Sequence, residues 1–168
     1  YGIKSIFRLG MLPRFMAENA HRAKTLGCLH AFAYHTQPVS PDLALFRQIA
    51  ERIPGISIED HTNVLPKLRS VKSTAEANMI AHAVSISALA YDAVMHTMRP
   101  GMNEFDIQET LEHTYRSNGS RRPGYGTIAG GGINSTVLHY RANDEPLDDG
   151  DLICIDSGAD FGGYTADI

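Results

Sequence analysis

Cysteine is scarce. The 168 residues contain two, Cys28 and Cys154, and Cys154 lies inside an apolar, strand-like run. Two reduced thiols are therefore a simpler reading than a disulfide framework, which points to a cytoplasmic protein. No apolar run approaches the roughly 18 residues that a bilayer span requires. The start of the chain also lacks the basic and apolar regions of a signal peptide. No membrane partner is expected. Basic charge is short as well: 15 Lys and Arg, scattered along the chain, face 19 Asp and Glu, for a net charge of −4. Without a basic field to hold phosphates, a nucleic-acid partner is not expected. Internal repeats and low-complexity tracts are missing too. What remains is the composition of an ordinary globular protein, 43% hydrophobic and 20% charged, with length enough for one domain and a proper core. The chain opens at Tyr1 without an initiator Met and stops at Ile168, directly after a candidate functional residue, so it reads as cut at both ends.

The first 60 or so residues mix helical and extended signals. Pro13 to Thr25 reads as a helix ended by Gly27, and Cys28 to Tyr34 as a short strand. Pro41 to Ile53 reads as a second helix, with Ser40 as its cap, Pro41 at its first position and Gly55 just past its end. A junction follows at Arg69 to Lys72. Ser73-Thr74-Ala75-Glu76 is a capping box, and apolar residues from Met79 to Met95 recur at helical spacing until Arg99-Pro100-Gly101. Asn103 caps another helix, carrying Phe105, Leu111 and Tyr115 and ended by Asn118-Gly119. Beyond it the chain becomes Gly-rich and strand-like, at Gly124 to Gly132, Thr136 to Tyr140, Asp151 to Asp156 and Tyr164 to Ile168. Helices first and antiparallel strands afterwards predict an α+β architecture, with the helices on one face of the sheet.

Two acids stand out. Asp151 to Asp156 is an apolar run without alternation, hence a strand buried on both faces, and it ends in a carboxylate. Phe161-Gly162-Gly163 offers a turn, and Tyr164 to Ile168 returns with Asp167 near its end. A hairpin centred between Phe161 and Gly162 sets Asp156 directly opposite Asp167, with Gly158 opposite Thr165. Opposed side chains lie roughly 4.5–5.5 Å apart at Cβ, a spacing suited to two metal ions about 3.5–4 Å apart. Two close carboxylates repel unless a cation sits between them. On spacing alone the other reading also stands: two turn-flanking acids bonded to backbone N–H groups near the glycines.

With these residues assembled, the stretch from about Leu68 to Ile168 resembles the catalytic domain of Xaa-Pro aminopeptidases and prolidases, the pita-bread metallopeptidases. Six segments carry the likeness in order: Arg69 to Ser73 leading into the Glu76 helix, Arg99 to Met102, Tyr125 to Ile128 with the following glycines, Leu138-His139-Tyr140, Gly150 to Gly158, and Gly163 to Ile168. The fold it implies is the N-terminal half of a pita-bread (creatinase/aminopeptidase-like) catalytic domain over residues 69–168. The tail of a smaller α/β N-terminal domain over 1–68 would precede it. The resemblance implies that Asp156 and Asp167 are metal ligands, completed by one His and two Glu that have no counterpart in this chain. Two divalent ions are implied, Mn²⁺ foremost with Co²⁺ or Zn²⁺ as alternatives, as carboxylate-rich ligation allows. His139 matches a His that contacts substrate or the tetrahedral intermediate, and would hydrogen-bond charge developing at the scissile carbonyl. Tyr125 matches a Tyr near the metal ligands, a donor to a carboxylate that also borders the substrate. By itself, each of these two residues also reads as structural.

The implied activity is hydrolysis of X-Pro bonds in peptides with proline at the second position, by an aminopeptidase or dipeptidase that is a homo-oligomer at full length. The nucleophile would be a metal-bridging hydroxide, with one of the absent Glu as base. The 168-residue piece alone is expected to be inactive. A methionine aminopeptidase-like enzyme ranks lower, because Arg69 to Ser73 and Leu138 to Tyr140 look like the proline-specific branch. A creatine amidinohydrolase, a metal-free relative, is disfavoured by the presence of both Asp. A non-catalytic pita-bread binding module is disfavoured by Asp156, Asp167 and His139 together. Ala129-Gly130-Gly131-Gly132 lacks the Lys-Ser/Thr of a phosphate loop and reads as backbone flexibility or close packing near the site. His21, His30 and His35 fit no zinc spacing, and His61, His82, His96 and His113 meet no converging acids.

Overall fold

The structure is a computed structural model that describes residues 2–29 and 36–168. Two compact units make up the chain, Tyr1–Val71 and Lys72–Ile168. Among the described residues no helix is long and apolar enough to cross a membrane.

In the first unit, a 3-10 turn at Leu9–Met11 leads into α1 (Leu12–Ala23), and Lys24 in the left-handed region stops that helix three residues before Gly27. Gly27 falls instead inside β1 (Thr25–Cys28). The strand thus begins earlier than the expected Cys28 to Tyr34 and has ended by Leu29; positions 30–34 of that expectation, like His35, lie outside the described residues. The next helix, α2 (Pro41–Arg52), starts where Ser40 accepts the Leu43 N–H at 3.3 Å. Two elements escaped the pattern, β2 (Ser57–Asp60) and α3 (Val64–Ser70). Only Ile58 of β2 is even partly buried, so the strand shows no apolar face in sequence. β1 and β2 pair in parallel, from Thr25↔Ser57 to Cys28↔Asp60, with α2 in the crossover between them. Ala20, Leu26, Ile49 and Ile53 form the core, flanked by Met16, Leu45, Phe46 and Ile56.

The second unit opens on α4 (Thr74–Thr97), and both halves of its capping box form: Ser73 Oγ accepts the Glu76 N–H at 3.3 Å while Glu76 accepts the Ser73 N–H at 2.7 Å. Asn103 and Asp106 repeat the arrangement at α5 (Glu104–Ser117). Ile86, Ala90 and Val94 of α4 and Ile107, Leu111 and Tyr115 of α5 make two buried stripes at a spacing of four. Burying each large aliphatic side chain contributes about 1.5–3 kcal/mol. Small Ala83, Ser87 and Ala90 carry much of the α4 face, whereas Val84 and Met95 point to solvent despite fitting the period.

Against these helices lie β3 (Ile128–Gly131), β4 (Ile153–Asp156), β5 (Asp160–Phe161) and β6 (Tyr164–Thr165). β3 and β4 are antiparallel, Ile128 opposite Asp156, and β5 and β6 form a short hairpin. The architecture is α+β, with strands in two-stranded pieces among the described residues. The glycine run is strand β3, as the strand-like reading of Gly124 to Gly132 expected, with Leu147 pressed over Gly131. Two expectations need correcting. Thr136 to Tyr140 is not a strand: a 3-10 turn spans Gly132–Thr136, and Val137 and Leu138 beyond it are exposed without a ladder partner. β4 is not buried on both faces either, since Cys154 is exposed.

Candidate metal centre

Glu104, the first residue of α5, is fully buried and organises the approach to the site. Its carboxylate accepts four hydrogen bonds, from Gly131 N–H at 2.7 Å, Asn134 Nδ2 at 3.0 Å, Tyr140 Oη at 2.8 Å and Glu145 N–H at 3.1 Å. Burial pushes this carboxyl up, but those donors outweigh it and hold it below its ordinary range. The same contact, after burial, pushes the Tyr140 hydroxyl up to about 12. Asn143, also buried, accepts the Ala129 N–H at 3.0 Å and donates to Thr127 O and Gln108 Oε1, which fixes β3. β3 in turn carries β4 and the acid at its end.

Asp156 closes β4. Its Oδ1 is buried and has no hydrogen-bond partner, an arrangement that is costly for a lone carboxylate oxygen. Asp167 is exposed and accepts the Tyr125 hydroxyl at 2.9 Å. Asp156 acts on that hydroxyl too: burial first, then hydrogen bonding to both carboxylates, pushes Tyr125 well above its ordinary value. The phenol thus hydrogen-bonds Asp167 and feels the charge of Asp156.

The pairing differs from the expected one. Asp160 lies opposite Thr165 and Phe161 opposite Tyr164, across a turn made of Gly162 and Gly163. Both glycines have positive φ, 62° and 87°, as a two-residue I′ turn demands. The register is thus displaced by two residues, and Asp156 is the diagonal neighbour of Asp167. A shift of two keeps both acids on one face, where a shift of one would separate them. Diagonal neighbours sit about 7–8 Å apart at the backbone, within reach of long or shared partners. Close to the acids the chain leaves regular pairing. At Gly158 a Cβ would overlap the Ala166 carbonyl oxygen, so only glycine allows the two segments to approach this closely.

Long-range polar contacts hold that crossing. Tyr115 donates to Ser157 Oγ at 2.9 Å, Thr127 Oγ1 shares a hydrogen bond with the same hydroxyl at 3.0 Å, and Ser87 Oγ accepts the Ala159 N–H at 2.9 Å. At the far end of the hairpin, Tyr164 donates to Glu76 at 2.9 Å and Phe161 meets the ring of His82 edge-on, with centroids 4.2 Å apart. Glu76 thus caps α4 and holds the hairpin with one carboxylate, and its backbone bond from Ser73 leads the causes that hold it below the ordinary range.

Of the four residues singled out from sequence, the structure joins two by a hydrogen bond, Tyr125 and Asp167, and sets Asp156 at the adjoining strand end. His139 lies apart, exposed, with φ 56°, and makes no hydrogen bond or ion pair among the described residues. No group of three or more His, Cys, Asp or Glu gathers around a metal position among the described residues. The pair alone nevertheless fits a divalent cation: the donors are hard carboxylate oxygens, and one buried oxygen lacks a partner that a cation would supply. Glu104, Asn143, Ser87 and Ser157 were missed. Glu104 in particular has the sequence appearance of an ordinary first-turn acid.

Comparison with known proteins places this geometry in context. Residues 78–168 match the model of metallopeptidase family M24. The Xaa-Pro aminopeptidase of Haemophilus influenzae is 39% identical over 111 residues, 66% of this chain and 26% of the relative. Proline aminopeptidase P II from Yersinia pestis superposes with a TM-score of 0.79 at 30% identity, over 95% of this chain and 37% of that one. A zinc-substituted aminopeptidase P from Escherichia coli, in complex with product, shares the fold with a TM-score of 0.85 at 24% identity, over 99% and 39%. The chain spans about a quarter of the length of the curated relative it matches.

Proposed function

This chain belongs to metallopeptidase family M24, and from that premise we propose that the whole protein hydrolyses the X-Pro bond of peptides carrying proline at the second position, as an Xaa-Pro aminopeptidase or dipeptidase. Its fold is part of the pita-bread fold. In the proposed arrangement residues 69–168 are the first part of that catalytic domain, and 1–68 the tail of a smaller N-terminal domain. Asp156 and Asp167 are two ligands of a dinuclear site, with the remaining ligands outside this chain. The observation that carries the reading is the buried Asp156 Oδ1 without a hydrogen-bond partner, at the end of a strand beside Asp167, whose carboxylate accepts the Tyr125 hydroxyl.

Divalent ions at such a site, Mn²⁺ foremost, supply Lewis acidity and make water nucleophilic at neutral pH. Asp156 and Asp167 bind, and Tyr125 orients Asp167 by donating from a hydroxyl that stays protonated. His139, on its exposed loop, hydrogen-bonds charge that develops at the scissile carbonyl. The reading includes a cytoplasmic homo-oligomer at full length, and an inactive 168-residue piece.

The test is turnover of an X-Pro peptide by the full-length protein, stripped of metal and then titrated with Mn²⁺. Activity should appear with metal, and Asp156→Asn or Asp167→Asn should lower kcat/KM by more than the roughly 10–100-fold typical of outer partners. Unaltered turnover in either variant would exclude that Asp as a ligand. Metal-independent inertness of the unaltered protein would favour a binding module.

A further inference from the structure

The hairpin ladder is only two pairs long, Asp160↔Thr165 and Phe161↔Tyr164, and both acids lie beyond its end. Among the described residues two backbone bonds continue it, from Ala166 N–H to Ala159 O and from Ser157 N–H to Ile168 O, each 3.1 Å long. A ladder this short fixes the separation of its outer residues poorly. The geometry there must come from elsewhere.

Tyr91 supplies it from α4. Its ring packs half-buried against the core stripe, and its hydroxyl accepts the Ser157 N–H at 3.1 Å and donates to Ile168 O at 2.8 Å. Ser157 directly follows one acid and Ile168 directly follows the other. Three groups, the Ser157 amide, the Ile168 carbonyl and one phenol, therefore close a triangle across the two strand ends. Tyr115 differs in kind: its hydroxyl meets the Ser157 side chain and no backbone group of either strand.

We infer that Tyr91 is a positioning residue that sets the spacing of the Asp156 and Asp167 carboxylates, tying the metal affinity of the site to helix α4 through the Ser157–Ile168 triangle. The inference rests on the reading of these two acids as metal ligands. Dinuclear sites are sensitive to such spacing because both ions must be held about 3.5–4 Å apart. A phenol that braces both strand ends narrows the range of separations the acids sample.

The experiment is a calorimetric titration of metal-free, full-length protein with Mn²⁺, beside a thermal melt of each variant. Tyr91→Phe, which keeps the ring and removes the hydroxyl, should weaken Mn²⁺ binding by about tenfold or more without changing the number of ions bound. Tyr115→Phe should lower Tm yet leave affinity within about twofold. Wild-type affinity in Tyr91→Phe would overturn the inference, as would losses of affinity in both variants that simply follow their losses of Tm. Asp156→Asn separates the two levels: if it binds Mn²⁺ like the unaltered protein, the ligand reading falls, whatever Tyr91→Phe does. Should Tyr91→Phe not fold, amide exchange in the unaltered, metal-free protein decides. Ser157 N–H should exchange as slowly as the buried α4 amides, and exchange at loop rates would sink the brace.

Discussion

The two units bury different things. In the first, the described residues with little or no exposure are Ala20, Leu26, Cys28, Ile49 and Ile53, all apolar. In the second, an apolar stripe is accompanied by Ser87, Glu104, Ser120, Thr127, Asn143 and Ser157, every one a buried polar or charged side chain. Apolar packing is forgiving, because hydrocarbon of about the right volume suffices. A buried polar network tolerates one geometry, because each group left without its partner costs about 1–3 kcal/mol. The difference follows the backbone. The first unit joins regular helices to a parallel strand pair, whereas the second must hold the irregular segments 132–152 and 157–159 in place around two acids. Where repeating backbone bonds run out, side chains supply the specificity.

The sharpest way to break this contrast is at Glu104. Glu104→Ala strands four donors in a buried space and should cost about 3 kcal/mol or more, read as a fall in the urea midpoint of the full-length protein. A pH series sharpens it. Because the folded carboxyl titrates below its ordinary 4.5, its stabilisation is complete above that pH and fades as pH falls through the folded value. The Tm gap between the unaltered protein and Glu104→Gln should therefore be constant from neutral pH down to about 5 and shrink below 4.5. A gap that widens on acidification would contradict the depressed pKa. The smallest effect belongs to the first unit, where Ile49→Val should cost about 1 kcal/mol. If Ile49→Val costs as much as Glu104→Ala, the two interiors do not differ in the way described.

Helix starts were legible because they are local. Ser73 with Glu76 and Asn103 with Asp106 lie three residues apart and close the same reciprocal bonds wherever they occur. Asp156 was legible as a strand end, whereas Asp167 lies two residues past the end of β6 and the register of the pair was not read correctly. The signal existed, since a Gly-Gly pair is what a two-residue I′ loop requires, and centring the turn on Gly162 and Gly163 gives the observed pairing. Thr136 to Tyr140 misled because Val137 and Leu138 look like core, and their apolar surface has no partner among the described residues. The network around Ser157 was not legible at all. Tyr91, Tyr115 and Thr127 reach it across 66, 42 and 30 residues, and no pattern in a single sequence connects such distances.

The left-handed backbone of His139 bears on how this protein can change over generations. A side chain with a Cβ pays to sit at φ 56°, and histidine, though tolerated there more than most, pays more than glycine or asparagine. Drift governed by folding alone would carry position 139 towards Gly or Asn, and with it remove the imidazole. Histidine would persist in a lineage only while selection on something other than stability retains it, so the residue that looks least anchored in the fold is the one whose retention says most about use.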